Sequence, residues 1–208
     1  MSKRCYVVGA SELNHFIMPA DDDYIIAADG GYNHLKRLRI TPNLIIGDAD
    51  SISTIPDGIE FLKYSPFKDE TDSFLAARKA VELGYDEIWF FGCCGGRFDH
   101  TIANVQMIAY FSKLGIKCRL FHDRTDITAI TDTSITFDKT ERGYVSIFSF
   151  DDNSYGVNIW GLKYSAEDIA LSSSMPVGVS NEFTGVESGV SVKDGTLLII
   201  KERMNILD

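Results

Sequence analysis

Short apolar runs alternate with amphipathic stretches through the first part of the chain. Cys5 to Gly9, Tyr24 to Ala28, Leu44 to Ile46, Glu60 to Tyr64, Glu87 to Phe91 and Lys117 to Phe121 read as strands. Between them, Tyr32 to Leu38 reads as a helix with Lys and Arg near its end, where the helix dipole favours them. Thr71 to Leu83 carries apolar residues near the helical period, from Phe74 and Leu75 through Ala77, Ala80 and Val81 to Leu83. Asp69 or Thr71 can cap its start, and Gly84 stops it. His100 to Leu114 forms a further helix, with Asp99 as its cap and Gly115 as its stop. A short helix is also expected after Ser11. Strands alternating with helices predict a parallel sheet with helices on its faces.

The pattern changes near Asp123 to Asp126. Strand-like runs then follow one another without helices: Ile127 to Thr131, Ser134 to Phe137, Tyr144 to Phe150, Val157 to Trp160, Asp168 to Ser172, and Val190 to Ile200 broken at Asp194-Gly195. Lys193-Asp194-Gly195-Thr196 reads as a type I′ hairpin turn. Several short strands with turns between them suggest a sandwich or jelly-roll. The expected fold class is thus α/β plus β. A parallel, Rossmann-like domain over residues 1–124 precedes a β-sandwich or jelly-roll domain over 125–208.

Composition narrows the function. The 208 residues are 45% hydrophobic and 24% charged, ordinary for a globular protein that buries a core. A net charge of −10 argues against nucleic acid and anionic membrane surfaces as partners. No apolar run is long enough to span a bilayer, and Met1 to Arg4 leads straight into a strand without signal-peptide character, so a cytoplasmic location is expected. Cys5, Cys93, Cys94 and Cys118 have no C-x-x-C spacing, which argues against zinc. They are expected as reduced, buried thiols, with Cys93 and Cys94 as small residues beside a glycine turn.

The acids gather at strand ends. Ala28-Asp29-Gly30-Gly31, Gly47-Asp48-Ala49-Asp50-Ser51, Lys68-Asp69-Glu70-Thr71-Asp72 and Gly95-Gly96-Arg97-Phe98-Asp99-His100 all follow predicted strands. In an open parallel sheet, ligands bind beyond the carboxyl ends of the strands. Asp48 and Asp50 can converge on one hard cation such as magnesium, which prefers oxygen ligands and bridges to phosphate. Taken alone, the same pair fits an Asx-turn equally well. At the start of the next helix, free N–H groups suit phosphate. There Thr71 offers a hydroxyl, Asp72 a metal ligand, and Lys68 a positive charge. Arg97 can clamp phosphate with its planar fork, while Asp99 caps its helix. His100 reads first as a helix-start residue. Asp29 is functional only by its company. Neither a Walker-type phosphate loop nor a G-x-G-x-x-G is present, so metal and side chains must hold any phosphate.

In this order the stretches resemble the thiamine pyrophosphokinase family, whose members carry A-D-G-G, G-D-x-D-S, K-D-x-T-D and G-G-R-x-D-H. Gly161-Leu162-Lys163-Tyr164 and Ser180-Asn181-Glu182-Phe183 resemble the family's G-L-K-[WY] and S-N-E-F. The resemblance implies a homodimeric enzyme with its site at the subunit interface. Its reaction moves a pyrophosphoryl group from ATP to thiamine, giving thiamine diphosphate and AMP. It implies Asp48, Asp50 and Asp72 as magnesium ligands, and these three with Arg97 and Asp99 as the catalytic set. It implies Asp29, Lys68, Asp69, Thr71, Arg97, Asp99 and His100 around ATP, and Tyr164, Ser180 and Asn181 around thiamine. The residues at 1–124 would be the catalytic domain, and those at 125–208 the thiamine-binding and dimerisation domain. Ala49 stands where Phe is frequent, and Tyr164 where animal members have Trp. Trp160 is expected in the core. The alternative activity is a metal-dependent pyrophosphokinase or nucleotide hydrolase with a different acceptor, and a nucleotide or thiamine sensor is the non-enzymatic one.

Overall fold

The computed structural model describes residues 4–48, 58–64 and 70–203. By strand pairing the chain has one large mixed sheet and a second, four-stranded antiparallel sheet. By packing it divides into two compact units, one of residues 1–107 with 118–123, the other of 108–117 with 124–208.

The first unit carries β1 (Arg4–Val8), β2 (Tyr24–Ala28), β3 (Leu44–Gly47), β4 (Glu60–Lys63), β5 (Glu87–Phe91) and β6 (Lys117–His122). Their order is β6-β5-β1-β2-β3-β4, and β5, β1, β2, β3 and β4 run parallel. β1, β2 and β3 are buried almost throughout, as expected of parallel strands covered on both faces. β4 exposes Glu60 and Lys63, charges that suit an edge. Its helices are α1 (Gly31–Leu38), α2 (Asp72–Glu82) and the first part of α3 (Phe98–Lys113), whose last turns pack with the second unit. α2 turns Leu75, Ala76, Ala77 and Ala80 inward and packs on β1, β2 and β3. Thr71 caps it, its Oγ1 accepting from the Phe74 N–H at 3.2 Å.

The helix expected after Ser11 does not form. Residues 12–20 run without regular structure, and Leu13, Phe16 and Ile17 lie against the aromatic core. That core stacks Tyr6 on Phe91 at 5.4 Å and Phe91 on Phe121 at 4.8 Å, with Phe16 4.9 Å from Phe91. So short a stretch, ended by Pro19, gains more from these contacts than from a marginal isolated helix.

The second unit holds β7 (Thr125–Thr131), β8 (Ser134–Phe137), β9 (Gly143–Ser149), β10 (Asn153–Trp160), β11 (Ala166–Ser172), β12 (Asn181–Glu182), β13 (Ser188–Ser191) and β14 (Thr196–Arg203). β12-β9-β14-β7 pair antiparallel, and β11-β10-β13-β8 form the second sheet. Val145, Ile147, Leu197 and Ile199 from the first set share one core with Val157, Leu171 and Val190 from the second. Trp160 is half-buried over Gly189, where a Cβ would meet its ring at 2.2 Å.

The expected hairpin at Asp194-Gly195 is a crossing between sheets. β13 pairs with β10 and β8, whereas β14 pairs with β7 and β9. Only Gly195, and not Asp194, has positive φ, so the turn is not type I′. The crossing is held by side chains instead: Gly195 N–H donates to Asp132 Oδ1 at 2.8 Å, and Thr196 N–H to Asp151 Oδ2 at 2.8 Å.

Candidate active site

The carboxyl ends of β1, β2, β3, β4 and β5 share one edge of the first unit. β5 lies on the opposite side of β1 from β2, so the strand order reverses between β1 and β5. Crevices at such reversals are where open α/β sheets bind ligands. Here the two loops meet backbone to backbone. Gly9 N–H donates to Phe91 O and Ser11 N–H to Gly92 O, both at 2.8 Å. A Cβ on Gly9 would stand 2.6 Å from Gly92 O, so the approach requires glycine. His34 Nε2 bonds Ser11 O at 2.8 Å, fixing the same loop from α1. The Gly9-Ala10-Ser11 loop carries no acid, and sequence reasoning passed it over.

Asp29 follows β2 in a left-handed turn, with φ of 49°. Its N–H donates to Ile46 O at 2.7 Å, and its Cα lies 3.1 Å from where a Gly47 Cβ would be. The bare backbone of Gly47 thereby seats Asp29 beside the strand end that carries Asp48. Both side chains are half-buried. Asp50, Lys68 and Asp69 lie outside the described residues. Among the described residues, no group of three or more His, Cys, Asp or Glu side chains is arranged to hold a metal ion.

Asp72 opens α2, where its charge faces the positive end of the helix dipole. The neighbouring Ser73 Oγ lies 3.6 Å from Cys93 Sγ, joining the start of α2 to the loop after β5. All four cysteines are free and buried. Burial pushes the Cys93 thiol up to about 11 and the Cys94 thiol up to about 12, so both stay protonated and act as packing groups. Asn104 on α3, a residue sequence reasoning missed, donates Nδ2 to Cys93 O at 2.6 Å while itself buried. It ties the glycine loop to the helix that follows. A polar residue inside an otherwise apolar helical stripe was the available signal.

Arg97, Asp99 and His100 are exposed. Asp99 lies inside the first turn of α3 and is not its cap, because the helix begins at Phe98. The Arg97 fork takes it instead, through Nη2 to Oδ2 at 2.6 Å and Nε to Oδ1 at 3.2 Å. These bonds hold the Asp99 carboxyl below its ordinary range and raise the guanidinium further.

In the second unit, Tyr164 follows β10 and is 64% exposed. Asn181 is buried beside it, and Ser180 is exposed at φ of 57° with its N–H donating to Ser146 Oγ at 3.1 Å. The Asn181 Oδ1 accepts from Tyr164 N–H at 2.9 Å, and Asn181 Nδ2 donates to Tyr164 O at 2.7 Å. No helix among the described residues is long and apolar enough to cross a membrane.

The thiamin pyrophosphokinase catalytic-domain model matches residues 18–120, and the vitamin B1 binding-domain model matches residues 132–197. Thiamine pyrophosphokinase of Bacillus subtilis (strain 168) is 30% identical over 183 residues, covering 85% of this chain and 86% of its own length. Thiamin pyrophosphokinase 1 of Caenorhabditis elegans is 27% identical over 190 residues, covering 85% of this chain and 77% of its own. The crystal structure of thiamine pyrophosphokinase from Bacillus subtilis superposes with a TM-score of 0.87 at 24% identity, over 98% of this chain and 100% of that one. With both domain models and a relative of this identity along most of its length, the chain belongs to the thiamine pyrophosphokinase family of enzymes.

Proposed function

We propose that this family member transfers a pyrophosphoryl group from ATP to thiamine through the carboxyl edge of the first unit. The observation that supports the proposal is that β2, β3, β4 and β5 run parallel with β1, so the segments that follow them leave from one edge of the first unit. The thiamine hydroxyl oxygen attacks the β-phosphorus in line and gives up its proton. The bond from the β-phosphorus to the bridging oxygen of the α-phosphate breaks, and AMP leaves with that oxygen. Positioning and charge stabilisation do most of the work in such transfers.

Asp48, Asp50 and Asp72 would hold magnesium, since carboxylate oxygens are the hard donors it prefers. The ion would offset charge on the phosphates. Lys68, Thr71 and the N–H groups opening α2 bind the nucleotide phosphates, with Asp29, Asp69, Asp99 and His100 lining the rest of the ATP site. Arg97 exchanges its bonds to Asp99 for phosphate oxygens, a planar fork suiting either partner. Tyr164 stacks on a thiamine ring, and Ser180 lines the same pocket. A Rossmann-like first domain, a jelly-roll second domain, a homodimer with thiamine at its interface, and a cytoplasmic setting complete the proposal.

Purified protein incubated with thiamine, ATP and magnesium should yield thiamine diphosphate and AMP. ADP in place of AMP would indicate single-phosphate transfer. Asp50→Asn should abolish turnover with an unchanged far-UV spectrum. Near-normal turnover would remove the metal role from this loop.

A further inference from the structure

We infer that Asn181 serves thiamine binding as a positioning residue for Tyr164, through its side-chain amide, rather than as a direct ligand of the substrate. Its backbone is committed elsewhere: Asn181 pairs with Val145 and Glu182 with Tyr144, in the sheet of β9 and β14. Its side chain reaches the segment after β10, which belongs to the other sheet. There it meets both backbone groups of one residue, donating to Tyr164 O at 2.7 Å and accepting from Tyr164 N–H at 2.9 Å. The amide thus reproduces the paired bonds that a neighbouring antiparallel strand would offer. Oδ1 also accepts from Glu182 N–H at 2.9 Å, which fills both of its lone pairs. One amide hydrogen is left, on a side chain only 5% exposed.

The rest of the segment is fastened in register. Thr184 Oγ1 donates to Gly161 O at 2.8 Å, Leu162 bridges Phe183, Lys163 N–H donates to Glu182 O at 3.0 Å, and Lys163 Nζ pairs with Glu182 at 2.7 Å. Tyr164 stands at the open end of this zipper with most of its ring in solvent. Apart from the Lys163 ammonium 5.9 Å from its ring centroid, the ring has little packing around it, so the backbone bonds to Asn181 fix where it stands. An aromatic platform gains affinity when it is ordered before the ligand arrives.

Because the stacking role of Tyr164 belongs to the proposed function, the test separates the two. Amide hydrogen exchange at Tyr164 is measured in the wild type and in Asn181→Ala, and thiamine KM in Asn181→Ala, Tyr164→Ala and the double variant. Asn181→Ala should accelerate Tyr164 exchange and raise thiamine KM by roughly tenfold, with the KM for ATP unchanged. In the Tyr164→Ala background the same substitution should add nothing. Asn181→Asp keeps the acceptor half of the clamp and should lie between wild type and Asn181→Ala in both readouts, which covers the case in which Asn181→Ala folds poorly. Additive losses with unchanged Tyr164 exchange would overturn the positioning role alone and make Asn181 a direct ligand. An unaltered thiamine KM in Tyr164→Ala would overturn both the stacking role and the positioning role.

Discussion

Gly31→Ala tests whether close backbone approach, and not chain flexibility, sets the residue at the start of α1. Gly31 does not have positive φ, so alanine is free of strain there. Helix propensity alone predicts a gain of up to about 1 kcal/mol from the change. The packing predicts the opposite. A Cβ at this position would stand 1.8 Å from Val8 O and 2.5 Å from Val8 C, roughly 1.6 Å inside the ordinary contact limit of 3.4 Å. The obstacle is the backbone of β1, a strand paired on both sides by β2 and β5, so no side chain can swing away. Overpacking of this kind costs about 1–3 kcal/mol, and the rigid neighbour puts the expectation near 3. In a domain of this size that lowers Tm by roughly 6–12 °C. Calorimetry and urea titration of the two proteins side by side measure the difference. A variant as stable as the wild type, or more stable, would refute the close-approach argument.

Thr71→Ala removes the cap of α2 and should cost about 1 kcal/mol, whereas Thr71→Ser should restore it in the same urea titration. Asn104→Leu leaves the buried Cys93 carbonyl without its donor. It should cost about 1–3 kcal/mol and raise the KM for ATP more than that for thiamine, as read from initial rates. Asp151 accepts from Lys113 Nζ at 2.5 Å and from Thr196 N–H; burial alone would raise its carboxyl, but these bonds outweigh it and hold it below the ordinary range. A depressed carboxyl contributes stability that is fully present above its unfolded value, about 3.9, and lost as pH falls through the folded value. The stability gap between wild type and Asp151→Asn should therefore be widest near neutral pH and shrink below about pH 4, in denaturation curves across pH.

The parallel strands were legible because β1, β2, β3 and β5 are apolar on both faces and read as unbroken runs. Three of the acid-bearing stretches were legible for the same reason, since each follows such a run, whereas Lys68 to Asp72 comes after the half-exposed β4. Partnership between strands was not. Asp194-Gly195 marks a break between two strands, but such a signal is local and does not say which sheet receives the next strand. β12 is two residues long and has no period to detect. Asp99 looked like a cap because acids favour helix starts, yet the helix opens at Phe98 instead of His100, and Arg97 takes the carboxylate. Gly9-Ala10-Ser11 acts through main-chain bonds, which side-chain chemistry does not advertise, and Asn104 through a side-chain amide that reaches a main-chain carbonyl across the loop. Asn181 stood out only through the family resemblance, and its bonds to Tyr164 depend on two sheets meeting.

The position of β14 bears on how the chain is made. It is inserted between β7 and β9, so a central strand of that sheet leaves the ribosome after both of its neighbours. Until Thr196 onward is synthesised, β7 and β9 each present an unpaired hydrogen-bonding edge, and the faces of Leu197 and Ile199 are missing from the core. A nascent chain waiting in that condition is open to wrong pairing with its neighbours. Truncation ahead of β14 would remove the middle of the sheet and not merely its margin.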